Sequence, residues 1–188
     1  FAGHDLTPLP QGALFWRARR ALLVADLHLE KASWFARFGQ MLPPYDSLST
    51  LADLTALVAA TDAREVWCLG DSFHDRFGCD RLPDAARAML LSLTGRLTWT
   101  WILGNHDPEP VRDLGGVSAA MFGVGPLVFR HAPEREPSDG EIAGHLHPVA
   151  RVSGRGRTVS RRCFASDGKR MVMPAFGAYA GGLSIRDA

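Results

Sequence analysis

Six of the seven histidines in this chain are gathered into five short stretches: Asp26-Leu27-His28, Gly70-Asp71-Ser72-Phe73-His74, Gly104-Asn105-His106-Asp107, His131 and Gly144-His145-Leu146-His147. Carboxylates, a carboxamide and neutral imidazoles are hard or borderline ligands for divalent metal ions. Together they predict a metal site, with ligands enough for two ions. Asp71 is the sole acid at the apex of its stretch, and a carboxylate can give one oxygen to each of two ions. It is therefore the candidate bridge. An isolated Asp or Asn would by default be a capping or turn residue; five stretches together argue against that.

Four of the stretches begin straight after the apolar runs ALLVA, VWCL, WTWIL and LVF, and His145 follows the shorter Ile142-Ala143. These runs have strand length and strand composition. Ligands set at the carboxyl ends of strands in one sheet converge on one crevice. Ala13–Trp16 and Ala21–Ala25 read as adjacent strands across the basic turn at 17–20. Residues 47–60 carry Leu48, Leu51, Leu54, Leu57 and Val58 at helical spacing, with Asp46 or Ser47 available as N-cap. Val66–Leu69, Thr98–Leu103, Leu127–Arg130 and Glu141–Ala143 read as strands, and Pro83–Leu93 as a second helix. A short helical stretch is expected after Pro108. Thr158–Ala165 and Lys169–Pro174 flank Ser166-Asp167-Gly168, a hairpin signal. Strands that alternate with helices and then run on alone predict an α/β sandwich rather than a doubly wound parallel sheet.

The ordered set D-x-H, G-D-x-x-H, G-N-H-D, H and G-H-x-H, spread over residues 21–150, resembles the calcineurin-like metallophosphoesterase superfamily. The stretch from Pro174 to Leu183 (PAFGAYAGGL), with Asp26-Leu27-His28-Leu29-Glu30-Lys31, is similar to the bacterial ligase-associated DNA damage response endonuclease group (PdeM). The resemblance implies a two-sheet sandwich flanked by helices (αββα). It implies one ion held by Asp26, His28, Asp71 and His147, and a second held by Asp71, Asn105, His131 and His145. It favours manganese; iron, zinc, nickel and cobalt also suit such ligands. It implies a phosphodiesterase that cuts single-stranded DNA endonucleolytically in DNA repair, alongside a ligase and a helicase. Two alternatives stay open. The same centre could cleave a dinucleoside polyphosphate, a cyclic nucleotide or a nucleotide-linked lipid. Some relatives of this fold are protein-binding scaffolds, but those typically lose ligand histidines, all of which are present here.

Three further residues adjoin the ligands. The family pattern makes His106 a group that contacts the scissile phosphate or protonates the leaving oxygen, a role an ordinary imidazole suits at neutral pH. Asp107 is placed to orient it, as carboxylates orient functional imidazoles. His74 is expected either to contact substrate or metal-bound water, or to satisfy local hydrogen bonds. Trp34, Phe35 and Phe38 are either core or a stacking platform for unpaired bases. His4 lies outside every motif and reads as surface. Gly177–Gly182 has no helix pattern after it, so it is a tight turn rather than a phosphate-binding loop of the P-loop kind.

At 188 residues the chain is expected to form one domain, 1–188, with a substantial core. No run of about 18 apolar residues is present. The chain opens on Phe1, which leaves room for native residues before it, and shows no signal-peptide pattern. Cys68, Cys79 and Cys163 cannot pair off evenly and show no C-x-x-C spacing, which fits a reducing, cytoplasmic setting. The net charge of +1 conceals an asymmetry: residues 1–150 hold 13 Lys/Arg against 18 Asp/Glu, and residues 151–188 hold 8 against 2. The basic end is either a solvated face or a ridge for a polyanion, with Arg155, Arg157, Arg161 and Arg162 the candidate DNA contacts.

Overall fold

The computed structural model of the protein describes residues 1–136, 138–154 and 156–185. In chain order its elements are β1 Leu6–Pro8, β2 Leu14–Trp16, β3 Ala21–Val24, α1 Lys31–Ala36, α2 Asp46–Thr61, β4 Glu65–Leu69, α3 Gly78–Arg81 and α4 Asp84–Thr94. There follow β5 Thr98–Ile102, β6 Val117–Ala119, β7 Met121–Val124, β8 Leu127–Arg130, β9 Glu141–Ala143, β10 Pro148–Gly154, β11 Arg157–Arg162, β12 Ala165–Ser166, β13 Arg170–Val172 and β14 Leu183–Ser184.

The strands form a six-stranded sheet in the order β1-β2-β3-β4-β5-β6, a five-stranded sheet β12-β13-β9-β8-β7, and a three-stranded sheet β11-β10-β14. The near-continuous apolar runs of β3, β4 and β5 follow from burial on both faces. Because strand residues alternate faces, Leu22, Val24, Val66, Cys68, Trp99 and Trp101 meet Leu51, Leu54 and Leu57 of α2 and Leu90 and Leu93 of α4. The intervening residues Leu23, Trp67, Leu69 and Ile102 pack on Leu127, Phe129, Ile142 and Met173 of the five-stranded side. Two of the three sheets, the six- and five-stranded ones, thus pack as an α/β sandwich. Among the described residues all four α-helices fall between positions 31 and 94, and α2 and α4 cover the six-stranded side.

Register brings the ligand loops level. β3 and β4 run parallel with Val24 opposite Cys68, and β4 and β5 run parallel with Leu69 opposite Ile102. Asp26, Asp71 and Asn105 therefore leave the same end of one sheet. β8 and β9 run parallel with Arg130 opposite Ala143, so His131 and Gly144-His145 leave together from the other sheet.

Several expectations need correction. No helix follows Pro108; residues 108–116 are loop and bends. Thr158 does not begin a hairpin with the strand at 170. Instead β11 pairs antiparallel with β10, a strand that alternation in 148–154 only weakly signals. The turn at Asp167-Gly168 is real but joins the short β12 and β13. Neither Asp46 nor Ser47 caps α2. The Asp46 carboxylate accepts the Ala32 N–H at 3.1 Å, and Ser47 Oγ accepts the Glu30 N–H at 2.9 Å while donating to Glu30 Oε1 at 2.7 Å. These bonds fasten the loop after the first motif to the start of α2. His4 is half-buried, with its ring edge-on to Trp16 at 4.8 Å.

Candidate metal centre

The carboxyl ends of the two sheets bring the seven expected ligands together. Five of them adopt left-handed backbone: Asp26 at φ 54°, His28 at 44°, Asp71 at 47°, His145 at 69° and His147 at 45°. Such conformations cost of order 1–3 kcal/mol each and persist where the surroundings over-determine them. Here those surroundings are hydrogen bonds between ligand loops. Asp26 N–H donates to the Gly70 carbonyl at 3.1 Å, His28 N–H to the Asp71 carbonyl at 2.9 Å, and His145 N–H to Asp26 Oδ2 at 2.9 Å.

The side chains form two adjoining groups, Asp26/His28/His147 and Asp71/His131/His145, the ligand atoms in each group lying within 4.8 Å of one another. His147 Nε2 stands 3.2 Å from Asp26 Oδ1 and 3.3 Å from His28 Nε2. In the second group His131 Nε2 stands 3.3 Å from Asp71 Oδ1, 3.1 Å from His145 Nδ1 and 2.8 Å from Asn105 Oδ1. Asp71 faces both: its Oδ2 is 4.0 Å from His28 Nε2. The Nδ1–H of His131 donates to the Leu69 carbonyl at 3.1 Å, which turns the Nε2 lone pair inward.

Ring nitrogens and carboxylate oxygens facing one another across about 3 Å must share either protons or a cation. Asp26 Oδ1 makes the same point, being buried with no hydrogen bond among the described residues; buried polar atoms of that kind call for a partner. Burial holds the His28 imidazole down to about 3 and His74 to about 4, so both rings are neutral and able to ligate. Burial works against the charge on Asp71, but the positive surroundings that His131 and the N–H of His106 give it hold its carboxyl at about 2. The donor set fits two divalent cations.

His106 N–H donates to Asp71 Oδ1 at 2.9 Å. Its ring Nδ1–H donates to the His74 carbonyl at 2.6 Å, leaving Nε2 facing the centre, 3.9 Å from Asp71 Oδ2. Asp107 does not orient this ring. Its carboxylate accepts the N–H groups of Gly104 and Phe73, both at 3.1 Å, tying the third loop to the second. Burial pushes its pKa up to about 6. The chain turns sharply at 104–107, so adjacent side chains point apart, and the carbonyl of His74 reaches the ring instead. His74 itself lies at the edge of the centre, its Nδ1 3.5 Å from His28 Nδ1.

Three glycines of the motifs, which side-chain chemistry leaves without a role, have a steric one. A Cβ on Gly70 would overlap the His131 ring, one on Gly104 would overlap Asp71, and one on Gly144 would lie 2.6 Å from Asp26 Oδ2. Each ligand loop passes so close to another's ligand that only hydrogen fits. Glycine directly before Asp71, Asn105 and His145 is the sequence signal of that close approach.

The arginines divide. Arg162 donates to the carbonyls of Ala175 at 2.8 Å and Phe176 at 3.0 Å, so its guanidinium fastens β11 to the 174–183 segment rather than facing solvent free. Arg157 and Arg161 are exposed on β11, and alternate residues share one face of it. Arg155 lies outside the described residues. A cavity of about 190 Å³ lined by His147, Ser160, Arg161 and Arg162 lies where the hairpin leaves the centre. Among the described residues no helix is long and apolar enough to cross a membrane.

Comparison with known proteins agrees with this geometry. No curated protein matches the chain. Among solved structures, the crystal structure of Pseudomonas putida nuclease MPE is similar, with a TM-score of 0.76 and 31% sequence identity over 97% of this chain and 88% of that one. The calcineurin-like phosphoesterase pattern matches residues 19–162, a span that contains every candidate ligand described above. The chain belongs to the calcineurin-like phosphoesterase family, and is a metal-dependent phosphoesterase.

Proposed function

We propose that this protein is a binuclear phosphodiesterase that cuts single-stranded DNA endonucleolytically. The observation that carries this is Asp71, whose two oxygens face two different ligand groups, Oδ1 toward His131 at 3.3 Å and Oδ2 toward His28 at 4.0 Å. Asp26, His28, Asp71 and His147 would hold one divalent ion, and Asp71, Asn105, His131 and His145 the other. Manganese suits this oxygen and imidazole set, which has no thiolate. When bound, two such ions activate a water and neutralise charge on the phosphate oxygens.

The chain's own groups supply the rest. His131 is locked through Nδ1, so its Nε2 keeps one direction. His106 is locked the same way on the His74 carbonyl, so in the imidazolium form Nε2 is the atom that gives its proton to the departing oxygen while Nδ1–H stays on His74. No side chain is needed as a nucleophile: there is no G-x-S-x-G elbow, and burial raises the Cys68, Cys79 and Cys163 thiols above their ordinary pKa.

Nuclease MPE is named a nuclease, which supports a nucleic-acid substrate here. The exposed Arg157 and Arg161 of β11 supply cations that such a strand can meet. We assign the protein to DNA repair in the cytoplasm, working with a ligase and a helicase. The test is hydrolysis by the manganese-loaded protein of circular single-stranded DNA, duplex DNA and small phosphodiesters. Cleavage of the circle ahead of the duplex supports the reading. Cleavage confined to small diesters replaces it with a small-molecule phosphodiesterase.

A further inference from the structure

Beside the centre lies a cavity of about 520 Å³ whose lining includes Lys31, Trp34, Phe35, His74, Asn105 and His106. Three of these residues, His74, Asn105 and His106, already belong to or adjoin the ligand set, so the cavity opens onto the place where a phosphate would sit. The rings of His106, His74 and Phe35 run outward in a near-parallel file: centroids 5.1 Å apart at 28° for the first pair, and 5.9 Å at 19° for the second. Trp34 stands edge-on to His74 at 5.0 Å and packs on Phe38 at 4.8 Å.

These aromatics are not core. Ala32 is the buried residue of α1, Trp34 and Phe35 are half-exposed, and Phe38 is 63% exposed. Half-exposed aromatic faces lining a cavity next to cations mark a binding surface rather than a packing need. Lys31 lies on the wall and Arg76 on the rim. The nearby carboxylate, Asp75, is neutralised by Arg81 at 3.1 Å.

The geometry points to a nucleobase subsite: Trp34 and Phe35 receive an unpaired base of the strand whose phosphate lies at the ligand centre beside His106, with Lys31 meeting the adjoining backbone. This rests on the nuclease reading above and deepens it. Every base has an aromatic face, so stacking accepts any sequence, and it needs a base that is out of its duplex. The subsite therefore turns a general phosphodiesterase centre into one selective for single strands.

The experiment uses the full chain with a phosphorothioate oligodeoxynucleotide carrying 2-aminopurine, and with cleavable strands bearing one abasic position. The Trp34→Ala/Phe35→Ala pair is compared with wild type and with Trp34→Phe, which keeps a ring. Stacking predicts quenching of 2-aminopurine by wild type and Trp34→Phe, and its loss in the double variant. Single-strand affinity should fall roughly tenfold to hundredfold in the double variant, while hydrolysis of bis(p-nitrophenyl) phosphate is unchanged. Wild type should also avoid the linkage beside the abasic position. A wild type that cleaves DNA without quenching and cuts beside the abasic position as readily as elsewhere overturns the subsite alone. So does a double variant that loses single-strand and small-diester activity equally. A wild type that cleaves the small diester but no DNA overturns the nuclease reading with it.

Discussion

The carbonyl of His74 accepts a hydrogen bond from His106 Nδ1–H at 2.6 Å, and that single bond decides which nitrogen of His106 faces the centre. The acceptor is backbone, so no change of side chain at position 74 removes it. His74→Ala should accordingly leave His106 in place, and His106→Ala should be the more damaging of the two.

For His106→Ala the expected outcome is two metal equivalents retained and phosphodiester cleavage reduced by about 10²–10⁴-fold, the usual worth of general acid assistance. With a nitrophenolate leaving group, which departs without a proton, the loss should shrink. Parallel kinetics on the two leaving groups check this; equal losses would leave phosphate binding as the role of His106.

Gly104→Ala should behave as a ligand-site mutation although glycine ligates nothing. The added Cβ would overlap Asp71 and come within 2.7 Å of Asp107 Oδ1, and overpacking of this kind typically costs about 1–3 kcal/mol. Thermal unfolding should show a lowered Tm, and metal analysis a loss of bound manganese. An unaltered metal content would mean that the third loop can shift without disturbing Asp71.

Much of this centre is legible in the amino-acid sequence. Apolar runs mark β3, β4 and β5 because those strands are buried on both faces, shorter runs mark β8 and β9, and the ligands follow these runs closely. What escapes lies at longer range or in weak signals. The partner of β11, β10, is exposed over its last four residues, so its composition carries only a weak burial pattern. The orienter of His106 is a carbonyl 32 positions away, invisible to any reading of side-chain types. Asp107 misleads because neighbours in sequence point apart across a tight turn.

Metal should act as a structural ligand as well as a chemical one. Chelation leaves the ring nitrogens of His28, His131, His145 and His147 crowded together beside Asp26 Oδ1, which has no hydrogen bond among the described residues. Titrating manganese into the chelated protein should raise Tm with concentration, by about 2.7 kcal/mol of stability at a hundred times the dissociation constant. A melting curve indifferent to manganese would contradict the assignment of these residues as ligands.

The two kinds of arginine on β11 should separate experimentally. Arg157→Ala with Arg161→Ala should flatten the salt dependence of single-strand binding by roughly 0.7 in log–log slope for each phosphate left without its cation, with Tm held. Arg162→Ala should instead lower stability by about 1 kcal/mol through its missing carbonyl bonds and leave the slope alone. Binding isotherms at several salt concentrations, beside melting curves, distinguish the two. No change of slope in the double variant would make that face merely solvated.

β11 is also an open edge. Among the described residues it pairs with β10 on one side only, is exposed along its whole length, and sets Val159 opposite Val152, both largely in solvent. An edge of that kind is a template on which a second molecule can add a strand. Arg157 and Arg161 break it up with like charges, so two copies approaching edge to edge would bring cation against cation. The arginines thus act as gatekeepers against self-association, and a fully neutralised hairpin would first betray itself not in an assay but in the concentrator, as aggregate.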